Sequence, residues 1–353
     1  MWLNFITLNS VAPIPNLHQI SDAGAGDGLM QLHPSRDTEL IACGQANTLL
    51  DGQFLPSPEL ANGSVTPAIL VHGIFRALQA KGYKIRLHCY QLGLEHEPDF
   101  NGSMVDHLVV HHCALGAEQQ LMQQQLIPEL KRQAAAGERH LIAESGIGGT
   151  SFASLWLRRW LGQVLSFAGS TKDPEKLRVK EQLIESLLSQ TAQLPLAVEP
   201  YVASLQWSDP IQRACCALLD SELVRLDFAG GVMMFAPVIA MQHQLRDKQL
   251  SIATTRWVMA SGDSQIIAAA LPANCRVLTP ELRFDGSKFK ALQMYERGYV
   301  IEGCGLGACL VFAEQQAIKP QQLLASLDSA VTPWLKPQQQ QQQQQGSAHA
   351  SMH

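Results

Sequence analysis

The sequence has little charge of either sign. Charged residues make up 16% of its 353 residues, against roughly 25% in an average soluble domain, and 26 basic against 31 acidic residues leave a net charge of −5. Because basic residues do not outnumber acidic ones, the sequence argues against a protein that coats nucleic acid or binds a membrane surface, since both need a positive patch. No uncharged apolar run reaches about 18 residues, so no membrane-spanning helix is expected.

Closely spaced cysteine pairs of the CxxC type are missing as well. Most of the eight cysteines lie in apolar runs, where a reduced cysteine acts as a small hydrophobe. The first residues lack the basic start of a secretory signal, and we therefore expect a cytoplasmic protein. Cys215 and Cys216 are adjacent, as in a redox pair, but buried helical thiols are the simpler interpretation.

What the sequence does contain is 46% hydrophobic residues, in short apolar strands that alternate with longer helices. This alternation predicts an α/β fold, a Rossmann-like mostly parallel sheet flanked by helices. Residues 1–60 are rich in Pro, Gly, Asn and Ser, which indicates loops and short elements that pack on the main domain. We expect an α/β domain at 61–315, a C-terminal helix at 316–336 and a disordered glutamine-rich tail at 337–353.

Individual elements follow from hydrophobic periodicity and capping residues. Helices are predicted at 67–79, 115–136, 150–167, 173–194 and 210–219. Strands are predicted at 83–89, 140–143, 250–255 and 299–301. Residues 226–239 contain two apolar stretches separated by a Gly-Gly pair.

A glycine-rich turn between a strand and a helix is the strongest local signal. Residues 140–151 read HLIAESGIGGTS, an apolar strand followed by an acidic residue, three glycines and two hydroxyl residues. Glycines let the backbone approach a ligand closely, and a helix N-terminus suits a phosphate. The string has neither the lysine of a Walker loop nor GxGxxG spacing, and such turns also occur without a ligand. The candidate phosphate-binding residues are Gly146, Gly148, Gly149, Thr150 and Ser151.

A second turn of the same kind lies near the C-terminus. Residues 299–310 read YVIEGCGLGACL, in which a short strand meets Glu302 and then three alternating glycines. Acidic residues at the carboxyl ends of strands lie where open α/β sheets bind ligands. Two such turns indicate a site built from both, with Glu144 and Glu302 as its acidic groups. The alternative is that each glutamate only caps the N–H groups of its own turn.

Four short strings match the ordered motifs of one family. ESGIGGTS at 144–151 and EGCGLGA at 302–308 resemble the E-x-G-I-G-N-T-T phosphate motif and the E-G-x-G-x-A turn of nicotinate-nucleotide:dimethylbenzimidazole phosphoribosyltransferases. DFAGGVMMFAPVI at 227–239 and IATTRWV at 252–258 look more like the archaeal and cyanobacterial branch, with its A-G-G-T-Q-M and T-T-R-W-V strings. The sequence is thus similar to that branch of the family.

The resemblance implies a pentosyltransferase. Such enzymes move 5-phosphoribose from nicotinate mononucleotide to a benzimidazole-type base, with release of nicotinate, to make the lower ligand of cobalamin. The resemblance also implies a smaller helical portion formed by the chain termini, a homodimer, and a reaction that needs no cofactor and no metal. The expected partners are the two small-molecule substrates, with no nucleic acid and no membrane.

Roles for individual residues also follow from the resemblance. Glu302 matches the family's catalytic glutamate, which would take the azole proton as the base attacks C1′ in one inverting displacement, and an apolar site would raise its pKa. Nicotinate leaves readily, so no general acid is required. Glu144 would position the ribose or assist proton removal. The remaining nucleotide-binding candidates are Gly303, Gly305, Arg256 and Lys180.

Two of these candidates have a competing interpretation. Arg256 ends a predicted strand and could pair with phosphate or the nicotinate carboxylate, but Arg beside Trp also occurs in plain packing. Lys180 falls near a lysine that the bacterial enzymes place at the active site. A solvated helix face is the interpretation we favour for Lys180.

The sequence departs from the family at several points. Thr-Gln-Met after the Gly-Gly pair is Val232-Met233-Met234 here, and no G-D-H-G-V string is present. We expect these changes to lie near the acceptor base. They favour a second hypothesis, a non-catalytic nucleotide- or azole-binding protein that retains the fold. A nicotinamide dehydrogenase ranks third, because neither glycine turn has GxGxxG spacing with an acidic residue about 20 positions later.

Histidines crowd the segment DHLVVHHC at 106–113. Metal binding would need three or four ligands to converge. Strand alternation sends His107 and His111 to one face and His112 to the other. Histidines on a strand edge or at the entrance of a cleft are therefore the favoured interpretation.

Overall fold

The computed structural model describes residues 1–23, 27–49, 58–60, 62–165, 171–299 and 302–335. The predicted tail at 337–353 lies outside these residues. Seven parallel strands form one sheet in the order β3-β2-β1-β4-β5-β6-β7, which confirms the predicted parallel α/β fold. The strands are β1 (Trp2–Val11), β2 (Lys84–Leu92), β3 (His107–Cys113), β4 (Arg139–Ile147), β5 (Arg225–Ala229), β6 (Gln249–Ala253) and β7 (Cys275–Leu278).

Helices cover both faces of this sheet. They are α1 (His33–Cys43), α2 (Pro67–Ala80), α3 (Glu118–Leu121), α4 (Ile127–Ala135), α5 (Gly149–Leu161), α6 (Pro174–Thr191), α7 (Glu199–Val202), α8 (Pro210–Leu219), α9 (Val232–Ala240), α10 (Gly262–Ala269), α11 (Lys290–Gln293), α12 (Leu306–Gln315) and α13 (Pro320–Val331). A π-helical turn at Met122–Leu126 joins α3 to α4. The predicted helix at 115–136 is therefore nearly continuous but wider at its centre.

The prediction of loops and short elements for residues 1–60 is wrong at its start. Trp2–Val11 is a ten-residue strand in the middle of the sheet, so this segment is part of the main domain's core. Its buried polar residues concealed it, because a strand that is covered on both faces normally reads as a continuous apolar run. They are Asn4, Thr7, Asn9 and Ser10.

Each face of the sheet has its own core. Leu3 and Phe5 of β1 point into the core made with α1, α2, α12 and α13, and Ile6 and Leu8 point into the core made with α5, α8 and α9. This alternation follows from the two-residue period of a strand. The C-terminal helices α12 and α13 pack on α2.

Other predicted elements need smaller corrections. The helix predicted at 150–167 ends at Leu161, because Gly162 adopts a left-handed conformation (φ 64°) that terminates it. Tyr299 of the predicted strand 299–301 lies in a bend, and residues 300 and 301 fall outside the described residues. Strand β7 was not predicted, since its four residues are only partly buried or exposed.

The strand order reverses beside β1, and this fixes where a ligand site is expected. From β1 the chain builds the sheet outward through β2 and β3, and then from β4 to β7 on the other side. In doubly wound sheets the crevice at the carboxyl ends of the strands flanking this reversal binds ligands. The carboxyl end of β4 carries Glu144.

Candidate active site

Glu144 is buried at the carboxyl end of β4. Burial raises the pKa of its carboxyl group to about 8. The charges of Glu302 and Asp209 also raise this pKa, whereas hydrogen bonds from the N–H groups of Gly231 and Gly146 lower it. The side chain is therefore mainly protonated at neutral pH.

Glu302 lies just before α12 and is held by backbone groups. Its carboxylate accepts the N–H of Thr255 at 2.6 Å, of Gly303 at 3.1 Å and of Gly307 at 3.3 Å. Burial raises its pKa to about 7, and these hydrogen bonds lower it from what burial alone would give. The group is thus poised between its two protonation states near neutral pH, as a general base requires.

The two glutamates meet across the Gly230-Gly231 turn that follows β5. A Cβ on Gly230 would lie 2.7 Å from Cγ of Glu144, and one on Gly231 would lie 3.8 Å from Cγ of Glu302. The N–H of Cys304 also donates to the carbonyl of Glu144 at 2.9 Å. The structure therefore brings together the two acidic turns that the sequence singled out. Each glutamate accepts an N–H of its own turn, as the capping alternative expects, and also one from another segment, Gly231 for Glu144 and Thr255 for Glu302.

Asp209 adds a third carboxyl group that sequence reasoning missed. It caps α8, accepting the N–H of Ile211 at 2.7 Å, and the Ser10 hydroxyl lies 3.4 Å from it. Burial raises the pKa of Asp209 to about 6. An Asp-Pro pair followed by Gln at the third helical position was the available signal, but it indicates a helix cap rather than a site.

The glycine loop at β4–α5 is packed against the protein's own side chains. A Cβ on Gly148, whose φ is 79°, would lie 2.4 Å from Leu17, and one on Gly149 would lie 2.2 Å from Cε of Met233. Met233 also lies 3.0 Å from a Cβ position on Gly146. Met233, one of the departures from the family, thus lies against the predicted phosphate loop.

The first turn of α5 carries two hydroxyl groups with different surroundings. Thr150 accepts a hydrogen bond from Nζ of Lys180 at 2.8 Å. The hydroxyl of Ser151 is buried and has no hydrogen-bond partner among the described residues. Lys180 is buried, and burial lowers its pKa to about 8. The favoured interpretation of Lys180 as part of a solvated helix face is therefore wrong. The lysine lies in α6 and contacts the helix start that follows the glycine loop.

Arg256 lies in the turn after β6 and is partly exposed. Its neighbour Thr255 donates to Glu302, so Arg256 follows directly on the Glu302 site. Within the described part of the chain Arg256 makes no ion pair, in contrast to Arg213, which is paired with Glu118 at 2.8 Å.

The glycines after Glu302 serve close packing. A Cβ on Gly305 would lie 2.7 Å from Cβ of Ala143, and one on Gly307 would lie 2.2 Å from the carbonyl carbon of Thr254. They let α12 approach the ends of β4 and β6. The positive φ of Gly303 (155°) and Gly305 (69°) shapes the turn itself. These contacts do not show a nucleotide-binding role for Gly303 or Gly305.

A cavity of about 390 Å³ adjoins the other side of the glycine loop. Residues 11–18 after β1 form most of its wall, and Ala12 and Leu17 separate it from Gly148. Neither Glu144 nor Glu302 lines it. This open space therefore lies beside the strand-order reversal, but apart from the two carboxyl groups.

The histidine segment lies on β3 at the edge of the sheet, as the favoured interpretation expected. His111 stacks between Tyr90, at a centroid distance of 4.5 Å, and His88, at 6.0 Å. His112 pairs with Glu97 at 3.1 Å. Among the described residues no group of three or more His, Cys, Asp or Glu side chains is arranged to hold a metal ion.

The adjacent cysteines are buried helical thiols, as the simpler interpretation expected. Cys215 and Cys216 are buried on α8, and burial raises the pKa of both thiols well above the ordinary range. In the part of the chain that the structure describes, no helix is long and apolar enough to cross a membrane.

The raised pKa of Glu144 predicts a pH-dependent effect on stability. A carboxyl group whose pKa rises on folding destabilises the protein as pH increases from its unfolded pKa, near 4.5, to its folded value, about 8. We expect the difference in unfolding free energy between Glu144→Gln and wild type to change by at least ~1.4 kcal/mol, in favour of the variant, as the pH rises from 4.5 to 9. This value corresponds to a shift of one pKa unit. Urea unfolding at both pH values measures this. An equal difference at the two pH values would contradict the buried, protonated carboxyl group.

The fold and site together define a doubly wound α/β protein with a buried and a partly buried glutamate and a glycine loop at the carboxyl edge of its sheet. No family model matches the chain. Among curated proteins it is similar to UPF0284 proteins: 33% identical over 219 residues to one from Gloeobacter violaceus, covering 59% of this chain and 57% of that protein. Identity is 29% over 327 residues with one from Acaryochloris marina (85% and 82% covered) and 24% over 343 residues with one from Sulfurisphaera tokodaii (93% and 92%).

The chain is thus similar to UPF0284 proteins of cyanobacteria and archaea, which confirms the resemblance to the archaeal and cyanobacterial branch that its motifs indicated. Among solved structures, the crystal structure of CobT from Thermus thermophilus matches with a TM-score of 0.47 and 17% identity, covering 93% of this chain and 82% of that one. A likeness at that level says nothing about activity.

Proposed function

We propose that the protein is a phosphoribosyltransferase that moves 5-phosphoribose from nicotinate mononucleotide to a benzimidazole-type base. The observation that carries this proposal is Glu302, a partly buried carboxylate with a pKa of about 7, held by three N–H groups beside the carboxyl ends of β4, β5 and β6. We choose these two substrates because both acidic turns resemble the motifs of the family.

The residue types fit a single displacement at C1′. A ring nitrogen of the acceptor forms the new bond to C1′, the bond to the pyridinium nitrogen breaks, and its electron pair leaves with nicotinate. The ring N–H proton of the acceptor passes to Glu302, the general base. Glu144 is mainly protonated at neutral pH and therefore donates a hydrogen bond to the ribose rather than removing a proton.

The phosphate would bind at the start of α5. This helix has thirteen residues, and its N-terminus offers N–H groups and the positive end of its dipole. Thr150 and Lys180 stand at that end, and the unpartnered hydroxyl of Ser151 is a further donor. Met233 must swing away from Gly149 to admit the phosphate, which a flexible thioether side chain allows.

A specific observation favours the second hypothesis, a non-catalytic nucleotide- or azole-binding protein. Met233 fills the space over Gly146 and Gly149, where a phosphate would approach the loop. If Met233 stays in place, a phosphate cannot approach Gly146 and Gly149 from that side, which favours binding of an azole without transfer.

The decisive experiment is to incubate the folded protein with nicotinate mononucleotide and dimethylbenzimidazole and to measure free nicotinate. We expect release that depends on the azole. Binding of either compound in calorimetry without any release, over a panel of azoles, would reject the enzyme and support the binding protein.

Lys180→Met tests the phosphate end of the site. We expect it to weaken binding of nicotinate mononucleotide by ~10-fold, the equivalent of one charge-assisted hydrogen bond, with little change for dimethylbenzimidazole alone. Calorimetry with each compound measures this. Lys172→Met is the matched control, since this lysine bonds the carbonyl of Arg297 at the surface. Equal donor affinity in the Lys180 variant and wild type would move the phosphate elsewhere.

A further inference from the structure

Asp37, on α1, connects the two acidic turns through one carboxylate. Its Oδ2 accepts the hydroxyl of Ser145 at 3.1 Å and the thiol of Cys304 at 3.4 Å. Ser145 follows Glu144 directly, and Cys304 lies two residues after Glu302. A single buried oxygen atom therefore joins the end of β4 to the turn before α12.

The other oxygen of Asp37 fixes the carboxylate itself. Oδ1 accepts the hydroxyl of Thr66 at 3.0 Å, and Thr66 caps α2. Nε2 of His33, one turn earlier on α1, lies 3.4 Å from Oδ2. The carboxylate is thus anchored to two helices on one side and to the two acidic turns on the other.

Backbone strain at Cys304 shows that this turn needs such support. Cys304 has a φ of 54°, in the left-handed region that a residue with a Cβ rarely adopts. A strained conformation persists where the surroundings over-determine it. Its N–H is held by the carbonyl of Glu144 at 2.9 Å and its thiol by Asp37. The thiol remains protonated and able to donate, because burial and neighbouring carboxylates raise its pKa well above the ordinary range.

We propose that Asp37 is a positioning residue that sets the spacing of Glu144 and Glu302 by holding Ser145 and Cys304 on one carboxylate oxygen. Its effect on catalysis rests on the proposed phosphoribosyltransferase function, whereas its effect on the two glutamates does not. Asp37 lies in a helix that carries no motif, so nothing in the sequence marks it.

The test is an NMR titration of glutamate side-chain carboxyl carbons in the whole chain. Signals are assigned by their loss in Glu144→Gln and Glu302→Gln. Asp37→Asn removes the negative charge and leaves a single acceptor oxygen, so the hydrogen bonds from Ser145 and Cys304 weaken, the turns move apart and water reaches the glutamates. We expect the Glu302 midpoint to fall by about one pKa unit or more toward its ordinary value.

Asp328→Asn is the matched control. Asp328 is another buried aspartate that accepts a serine hydroxyl, from Ser287 at 2.6 Å, and an N–H, from Lys288 at 3.2 Å, but it touches neither acidic turn. Both variants should lose stability, and only Asp37→Asn should shift the glutamate titration. With substrates, Asp37→Asn should also lower kcat by ~10²-fold with little change in KM, the effect of a misplaced base.

If Asp37→Asn does not fold, the same titration is carried out on Cys304→Ser and Cys304→Ala. Serine keeps a donor to Asp37 and should keep the Glu302 midpoint, whereas alanine should lower it. Unchanged midpoints in folded Asp37→Asn, or in Cys304→Ala, would overturn the proposal. A shifted midpoint in a protein that never releases nicotinate would support the role of Asp37 and reject the proposed function.

Discussion

Replacing Glu302 with glutamine should lower the turnover of nicotinate mononucleotide with dimethylbenzimidazole by at least ~10²-fold, the lower end for loss of a general base. The amide cannot accept the azole proton as the base attacks C1′. Its single carbonyl oxygen can accept either the N–H of Thr255 or those of Gly303 and Gly307, so part of the hydrogen bonding that holds the turn is also lost. Free nicotinate and the ribotide product, measured under saturating substrates, give this number.

The pH profile separates proton transfer from a structural effect. In wild type kcat/KM should rise with pH through about 7, where Glu302 loses its proton. That limb should be missing from the residual activity of Glu302→Gln. If it persists there, another group is the base.

Glu39→Gln is the control for this prediction. Glu39 is a buried glutamate that, like Glu302, accepts three backbone N–H groups, those of Asn47 at 2.6 Å, Thr48 at 2.8 Å and Asp99 at 2.7 Å. The Glu39→Gln variant should be less stable than wild type, but its kcat/KM should still rise with pH through about 7. A loss of turnover in Glu39→Gln as large as in Glu302→Gln would mean that both act only by holding loops.

Replacing Gly307 with alanine should destabilise the protein by about 3 kcal/mol or more, at the upper end for overpacking a core. The new Cβ would lie 2.2 Å from the carbonyl carbon and 2.6 Å from the carbonyl oxygen of Thr254. Those atoms are backbone at the end of β6 and cannot rotate away, so α12 itself must move. Urea unfolding measures the loss, which would be a large part of a typical stability of roughly 5–15 kcal/mol.

The same substitution should damage the site. Gly307 and Thr255 both donate their N–H groups to Glu302, and both lie at the contact that alanine would open. Gly262→Ala is the control, because nothing lies within 4 Å of its Cβ position at the start of α10. It should be neutral or slightly stabilising. A Gly307→Ala protein as stable as Gly262→Ala would mean that α12 does not pack closely on β6.

Residues close together in the sequence determined much of this protein. The alternation of strands and helices predicted the parallel sheet, and Asp173 and Asp209 mark helix starts that follow from their Asp-Pro pairs. Glu144 and Glu302 were found because an acidic residue beside glycines is a pattern that needs only a few neighbouring positions.

Tertiary structure decided what each of those residues does. Lys180 is thirty positions from Thr150 in the sequence and was interpreted as a surface residue, yet the packing of α6 buries it against the glycine loop. Trp2–Val11 was hidden because its polar residues are satisfied or buried by neighbours that only the folded sheet provides. Asp37 reaches Ser145 and Cys304 across 108 and 267 positions. Burial, and with it every raised pKa at this site, depends on such distant contacts, because desolvation is set by what the whole fold places around a group and not by its neighbours in the chain.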